Sequence, residues 1–223
     1  GFRSLFTTIG ARLEKLRGFV PEAKGQLVTL PSGGQLALDN GRIMEVFKAN
    51  HAAGKMSAIL TLEGTAGFGH DPALLEDLSA IGFRIVSLGW NEQNPLTGSH
   101  MTGGGLTDLG REFVREAQRL GMLVDVSHIS DEGFWDMMKI TNAPIIATHS
   151  NSRSVCNNSR NLTDDMFRAI CETGGVAGYN ACDEFTGENP TVDTICDHIF
   201  HFLELDPSGK HIALGGDLDG VTR

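Results

Sequence analysis

Short apolar runs alternate with longer amphipathic stretches along most of the chain. Six runs have the length and aliphatic density of strands buried on both faces: 57–62, 83–90, 122–127, 144–148, 175–180 and 211–216. Between them lie helical patterns at 71–80, 107–120, 131–140, 163–172 and 192–205. In the second of these, Leu109, Phe113, Val114, Ala117 and Leu120 form one stripe, while Arg111, Glu112, Arg115 and Glu116 take the opposite face. Such a helix lies on a sheet. Thr107, Asp131 and Thr163 stand where N-caps belong, and Gly121 and Gly174 follow the ends of apolar stripes.

Strand and helix alternating at roughly 20 to 40 residues define βα units, and hence a parallel sheet, either open and doubly wound or closed into a barrel. The first 55 residues fit this less well: 13–20 and 42–51 read as helical, 26–30 as a short strand, and Pro31-Ser-Gly-Gly as a turn or loop. No internal repeat, low-complexity tract or interdomain linker breaks the pattern, so one domain is expected.

Composition narrows the function classes. With 40% of 223 residues apolar, the chain can build a full core without disulfide or metal staples, which excludes disorder as its main character. A formal net charge of -10 repels phosphate backbones and argues against nucleic-acid binding. No apolar run nears the roughly 20 residues of a membrane span, and the Gly-Phe-Arg-Ser-Leu-Phe start lacks a signal-peptide layout. Cys156, Cys171, Cys182 and Cys196 form no C-x-x-C pair and suit a reducing compartment. A cytoplasmic location is therefore expected, with an exported form also allowed.

In parallel α/β folds the chemistry collects at the C-terminal ends of strands, where the rim is open and framed by helix N-termini. Four of the six strand ends carry a ligating or proton-moving group: Glu63-Gly64, Ser127-His128, Thr148-His149-Ser150 and Gly216-Asp217-Leu218-Asp219-Gly220. Each alone has a bland alternative as a solvated carboxylate, a satisfied histidine or a turn residue. Together, two imidazoles flanked by carboxylates are the nitrogen and oxygen set that borderline ions such as Zn²⁺ prefer. Glu63 suits a metal-bridging carboxylate, and Asp217 suits the acceptor of a proton from a metal-acidified water. The polar loop after His149 offers Arg153 and Arg160 as forks for a substrate carboxylate, with Arg153 better read as a surface charge.

Other candidates are weaker. His51, His70 and His100 lie in helix or loop contexts without ligand partners and read as solvated. His198 and His201 are three apart on one helix face, but no carboxylate or cysteine pattern completes a metal set there. Gly103-Gly104-Gly105 lacks the Lys and preceding strand of a phosphate loop and reads as a flexible rim loop. Trp90, an aromatic at a strand end, reads as a pocket wall.

From about Lys55 to Arg223 the ordered motifs resemble those of the membrane (renal) dipeptidases, a metallopeptidase branch of the amidohydrolase superfamily. They are Leu62-Glu63-Gly64, Gly105-Leu-Thr-Asp-Leu-Gly110, Asp125-Val-Ser-His128-Ile-Ser130, Ala143-Pro-Ile-Ile-Ala-Thr-His149-Ser150, Ser159-Arg160-Asn161-Leu-Thr-Asp164-Asp165 and Leu214-Gly-Gly-Asp217-Leu-Asp219-Gly220. The resemblance implies a TIM-like (β/α)8 barrel with two zinc ions at its C-terminal rim. A metal-bridging hydroxide would cleave small dipeptide substrates, including ones with a D-residue at the C-terminal position, and a homodimer is compatible with it. It assigns Glu63 to the metal bridge, His128 and His149 to the second metal, Arg160 to the substrate's free carboxylate and Asp217 to the proton shuttle.

The chain departs from the family pattern in two ways. The family's His-x-Asp pair, ligands of the first metal, occurs nowhere in the sequence, and Trp90 stands where better-known relatives place a histidine. The chain therefore reads as one barrel domain over 1–223 without its first strands and C-terminal closing helix, holding at most one metal well. Two other readings share these residues: an amidohydrolase acting on a lactam or cyclic dipeptide, and a non-catalytic binding protein that has lost the first metal.

Overall fold

A computed structural model of the chain describes residues 26–29, 35–38, 43–55 and 59–217. The expected helix at 13–20 and the Pro31-Ser-Gly-Gly turn lie outside them. The expected strand at 26–30 is β1 (Gln26–Thr29), and it pairs antiparallel with a strand the apolar pattern did not show, β2 (Gln35–Leu38). The helix expected at 42–51 is α1 (Ile43–Ala52).

Six strands follow in chain order: β3 (Leu60–Leu62), β4 (Phe83–Ser87), β5 (Leu123–Asp125), β6 (Ile145–Ile146), β7 (Ala177–Asn180) and β8 (Ile212–Gly216). β3 to β6 form one parallel sheet in sequential order, and β7 and β8 form a parallel pair. A parallel bridge between Ala147 and Ala177 joins the two groups, with Ala147 N–H donating to Val176 O at 2.9 Å and Gly178 N–H to Ala147 O at 2.8 Å. The strands are shorter than the apolar runs because each run continues past its last paired residue into the rim loop.

The helices between strands are α2 (Leu75–Ile81), preceded by a 3₁₀ turn at Pro72–Leu74, then α3 (Asp108–Arg119), α4 (Asp131–Met138), α5 (Asp164–Glu172), α6 (Asp183–Thr186) and α7 (Val192–Leu205). Their starts follow local chemistry. Thr107 Oγ1 accepts from Gly110 N–H at 3.0 Å and Thr163 Oγ1 from Met166 N–H at 3.2 Å. The cap of α4 is Ser130, whose Oγ accepts from Gly133 N–H at 2.9 Å, and the expected cap Asp131 is instead the first helical residue. Ser130 Oγ also donates to Gly104 O at 2.5 Å, which bonds the rim loop 103–105 into the scaffold.

The apolar stripes meet in one core containing Leu75, Val86, Phe113, Met122, Phe134, Met137, Ile145, Phe167 and Ile170. Burying each such side chain contributes about 1.5–3 kcal/mol. Phe167 of α5 stacks on Phe202 of α7 with centroids 4.1 Å apart, so the two outer helices share one seam. Where β6 passes β7 the backbones nearly touch: a Cβ on Gly175 would stand 1.7 Å from Ile145 O, and one on Gly178 2.2 Å from Thr148 O. Only glycine fits there.

The expected closed barrel is not formed by the described residues. β3 and β8 are the unpaired edges of the six-strand series, and the closing contact would have to join them to further strands or to each other. What stands is a mixed α/β fold whose parallel strands, in chain order, aim their C-terminal ends at one rim.

Candidate metal centre and active site

Glu63 is the first residue beyond β3. The chain turns there on Gly64, whose φ is +75° and whose N–H donates to Ser87 Oγ at 2.7 Å. His128 lies three residues beyond β5 with a φ of +75°, a conformation that costs a non-glycine residue energy and recurs at functional sites. His149 follows β6, and its N–H donates to Ser127 Oγ at 3.1 Å, tying the β5 and β6 ends together.

These three residues converge. Glu63 Oε1 lies 2.9 Å from His128 Nε2 and 3.1 Å from His149 Nε2, and the two Nε2 atoms are 3.0 Å apart. They form the single group of metal-capable ligand atoms among the described residues. Both imidazoles are buried, while Glu63 is partly exposed toward the rim.

The outer ring nitrogens decide what the inner ones present. His128 Nδ1 donates to Asn91 Oδ1 at 2.9 Å, with the Asn91 amide oriented so that its oxygen faces the ring. His149 Nδ1 lies 2.7 Å from Thr148 Oγ1, whose own proton goes to Asp125 Oδ2 at 2.5 Å, so the ring is again the donor. A neutral imidazole that is N–H at Nδ1 carries a lone pair at Nε2. Burial pushes the His128 ring below its ordinary value, toward this neutral form, against the pull of Glu63. Burial raises the Glu63 carboxyl, and the pull of the two imidazoles that would hold it low exists only while their Nε2 atoms carry protons; in the lone-pair form a cation takes over that role. An ionised oxygen and two nitrogen lone pairs thus face one another at about 3 Å. A cation relieves that mutual repulsion, and two imidazoles with one carboxylate fit zinc or a similar borderline ion.

Arg160 is 3% exposed, with Nη1 donating to Ser150 Oγ at 2.7 Å and its guanidinium 5.7 Å above the Phe185 ring. Its Nε and Nη2 are buried without a protein acceptor. Burial lowers its pKa to about 10, opposed by the charges of Asp125, Glu63 and Asp217, so it stays a cation at neutral pH. Unpaired charged donors in a buried setting are costly unless an anion meets them.

Asp217 follows β8 with a φ of +55° and accepts from Asn180 Nδ2 at 3.0 Å. It stands outside the three-ligand cluster. Trp90 is 52% exposed, its ring 6.2 Å from that of His128, at the mouth of the site.

Two histidines differ from their expected solvated state. His100 is half-buried, Nε2 donating to Asn91 Oδ1 at 3.0 Å and Nδ1 accepting from Ser159 Oγ at 3.2 Å. Burial, followed by the charges of Arg160, His128 and Arg153, lowers its pKa to about 4. It borders a cleft of about 560 Å³ with Asn91, Met101, Ser159 and Phe185. His70 pairs with Thr65 Oγ1. His198 is fully buried, Nδ1 accepting from Ser152 N–H at 3.1 Å and Nε2 donating to Thr186 O at 2.8 Å. It forms no metal pair with His201, whose Nε2 bonds Asp164 at 2.8 Å.

Arg153 is also more than a surface charge. It grips Asp131 with two nitrogens at 2.6 and 2.7 Å and donates to Asn161 O at 2.8 Å, bracing the loop that carries Arg160. Asn91, Asp125 and Thr148 were not singled out from sequence. A polar residue directly before or three before a strand-end histidine is the only signal that could have marked Thr148 and Asp125.

The fold and site together define an α/β protein with a carboxylate–bis-imidazole cluster able to hold a metal ion at the C-terminal ends of parallel strands. Residues 42–223 match the family model described as membrane dipeptidase, peptidase family M19, and the chain belongs to that family. An uncharacterized dipeptidase of Schizosaccharomyces pombe is 33% identical over 189 residues, which cover 82% of this chain and 45% of that protein. A metallopeptidase from Rhodobacter sphaeroides, solved with a phosphinate mimic of the dipeptide L-Ala-D-Ala, shares 32% identity at a TM-score of 0.74 over 81% of this chain and 55% of that one. An amidohydrolase from Pseudomonas aeruginosa, at 22% identity and a TM-score of 0.72, shares the fold over 80% of this chain and 56% of that one. The chain thus spans about half the length of these relatives. Among the described residues, no helix is long and apolar enough to cross a membrane.

Proposed function

We propose that this chain carries the second-metal half of a zinc-dependent dipeptidase, within a single (β/α)8 barrel domain to which its six parallel strands belong. The observation that carries the reading is the pairing of Glu63 Oε1, His128 Nε2 and His149 Nε2 within 3.1 Å of one another with a buried Arg160 whose Nε and Nη2 lack acceptors. A cation site beside an anion site matches a substrate whose scissile carbonyl lies close to a free carboxylate. A dipeptide is the smallest such molecule.

Glu63, His128 and His149 would hold the zinc at this second-metal position, and in the family's two-ion arrangement Glu63 would also serve the first ion. When bound, zinc polarises the carbonyl and acidifies the attacking water. Arg160 receives the C-terminal carboxylate in a fork of charge-assisted bonds and so fixes which peptide bond meets the metal. Asp217 takes the proton from the attacking water and returns it to the leaving amine, a role typically worth 10²–10⁴-fold in rate. Trp90 walls the mouth over the N-terminal side of the substrate. The bound L-Ala-D-Ala mimic in the Rhodobacter sphaeroides relative supports acceptance of a D-residue at the C-terminal position.

The test is turnover of L,L- and L,D-dipeptides by the zinc-loaded protein, compared with the same compounds carrying a C-terminal amide. The free carboxylates should be cleaved and the amides at least roughly 30-fold more slowly, since about 2 kcal/mol of charged hydrogen bonding is lost. Equal rates for both, or no cleavage of any dipeptide, would contradict the proposal.

A further inference from the structure

The two histidines are oriented by unequal means, and the arrangement behind His149 is the more elaborate. Asp125, buried at the end of β5, accepts at Oδ1 from Ser127 N–H and Thr148 N–H, both at 2.9 Å. These two bonds fix the carboxylate plane and leave Oδ2 facing the Thr148 hydroxyl at 2.5 Å. An ionised carboxylate only accepts, and a hydroxyl has a single proton. Once that proton points to Asp125, Thr148 Oγ1 can only accept from His149 Nδ1, 2.7 Å away. The proton is thereby kept on the outer nitrogen, and the Nε2 lone pair turns toward Glu63 and His128.

We infer that Asp125 is a positioning residue for the metal centre, acting through Thr148 to lock His149 in the tautomer that can ligate. This rests on the metal-centre reading above and deepens it. Partners that orient ligating histidines typically change metal affinity 10- to 100-fold when removed. Asp125 Oδ1 also braces the backbone at Ser127 and Thr148, and its effect on the ring tautomer is the part that passes through the Thr148 hydroxyl.

The logic of donors predicts opposite outcomes for near-identical shapes. In Asp125→Asn the new amide can donate to Thr148 Oγ1, which frees the hydroxyl proton for His149 Nδ1 and places the ring proton at Nε2. Thr148→Val removes the link, while Thr148→Ser preserves it. The experiment combines zinc titration of each full-length variant with nitrogen NMR of the ring, which separates the two tautomers by the shift of each nitrogen. The inference expects a 10- to 100-fold weaker zinc affinity and loss of the Nδ1–H signature in Asp125→Asn and Thr148→Val, with Thr148→Ser within about threefold of the parent. Parent-like affinity and an unchanged Nδ1–H signature in Asp125→Asn would overturn it. So would equal losses in Thr148→Val and Thr148→Ser. Should Thr148→Val fail to fold, Asp125→Asn and Thr148→Ser still decide. Neither readout involves a peptide, so failure of dipeptide cleavage and failure of this inference are separate results.

Discussion

His198 on α7 is buried at least as deeply as His128 and His149 at the strand ends, yet its ring nitrogens meet Ser152 N–H and Thr186 O, one donor and one acceptor. Every hydrogen-bonding site on that ring is satisfied by backbone. At the strand ends the outer nitrogens are satisfied by side chains, Asn91 and Thr148, but the inner ones face each other and a carboxylate. Burial therefore does not make a ligand. What distinguishes the two regions is that both ring nitrogens of His198 are paired while the rim leaves three acceptors pointed at one place.

The largest expected effect comes from removing the charged member of the rim. Glu63→Gln should lower zinc affinity more than 100-fold and dipeptide turnover more than about 10³-fold while leaving the metal-free fold intact, because it replaces a repelling oxygen anion by a neutral amide. Zinc titration beside thermal unfolding checks both parts. The next effect is that of Arg160→Met, which should reduce kcat/KM on dipeptides roughly 30- to 150-fold, from about 2–3 kcal/mol of lost charge-assisted bonding, with zinc affinity unchanged. Steady-state kinetics against zinc titration separates anchoring from metal binding.

The helical corner should respond in the opposite sense. His198→Phe leaves Ser152 N–H and Thr186 O unpaired and should cost about 3 kcal/mol of stability, with zinc affinity preserved. Denaturant unfolding measures the loss. Burial also lowers the His198 pKa from its ordinary 6.5. The unfolded chain therefore binds a proton below that pH which the folded chain refuses, so this part of the stability is complete above pH 6.5 and is lost as pH falls below it. His198→Phe should remove that share of the acid limb, leaving the shares of His100 and His128. The smallest effect is that of Arg153→Gln, which removes a partly exposed pair with Asp131 and should cost about 1 kcal/mol with little change in KM.

Much of this comparison was legible before any coordinates. An apolar run followed by histidine or a carboxylate marks a strand end, and the parallel order of β3 to β8 brings those ends to one rim. The tautomer locks were not legible, because the direction of a hydroxyl proton depends on which residues face it after folding. His198 was rightly denied a metal role, but its place in the core was not seen. Its spacing from His201 drew attention to a metal, whereas Ile195, His198, Phe202 and Leu205 form the inward stripe of α7, with His198 and Phe202 at its buried centre. Among the described residues the six parallel strands leave β3 and β8 as edges, against the eight strands the family resemblance implies.

The central claim is that Glu63, His128 and His149 are metal ligands, and zinc-edge X-ray absorption of the loaded protein tests it most directly. The scattering should show imidazole nitrogens and oxygens at about 2.0–2.2 Å with a two-imidazole signature and no sulfur. A shell with sulfur at about 2.3 Å, or oxygen alone without imidazole, would contradict the claim.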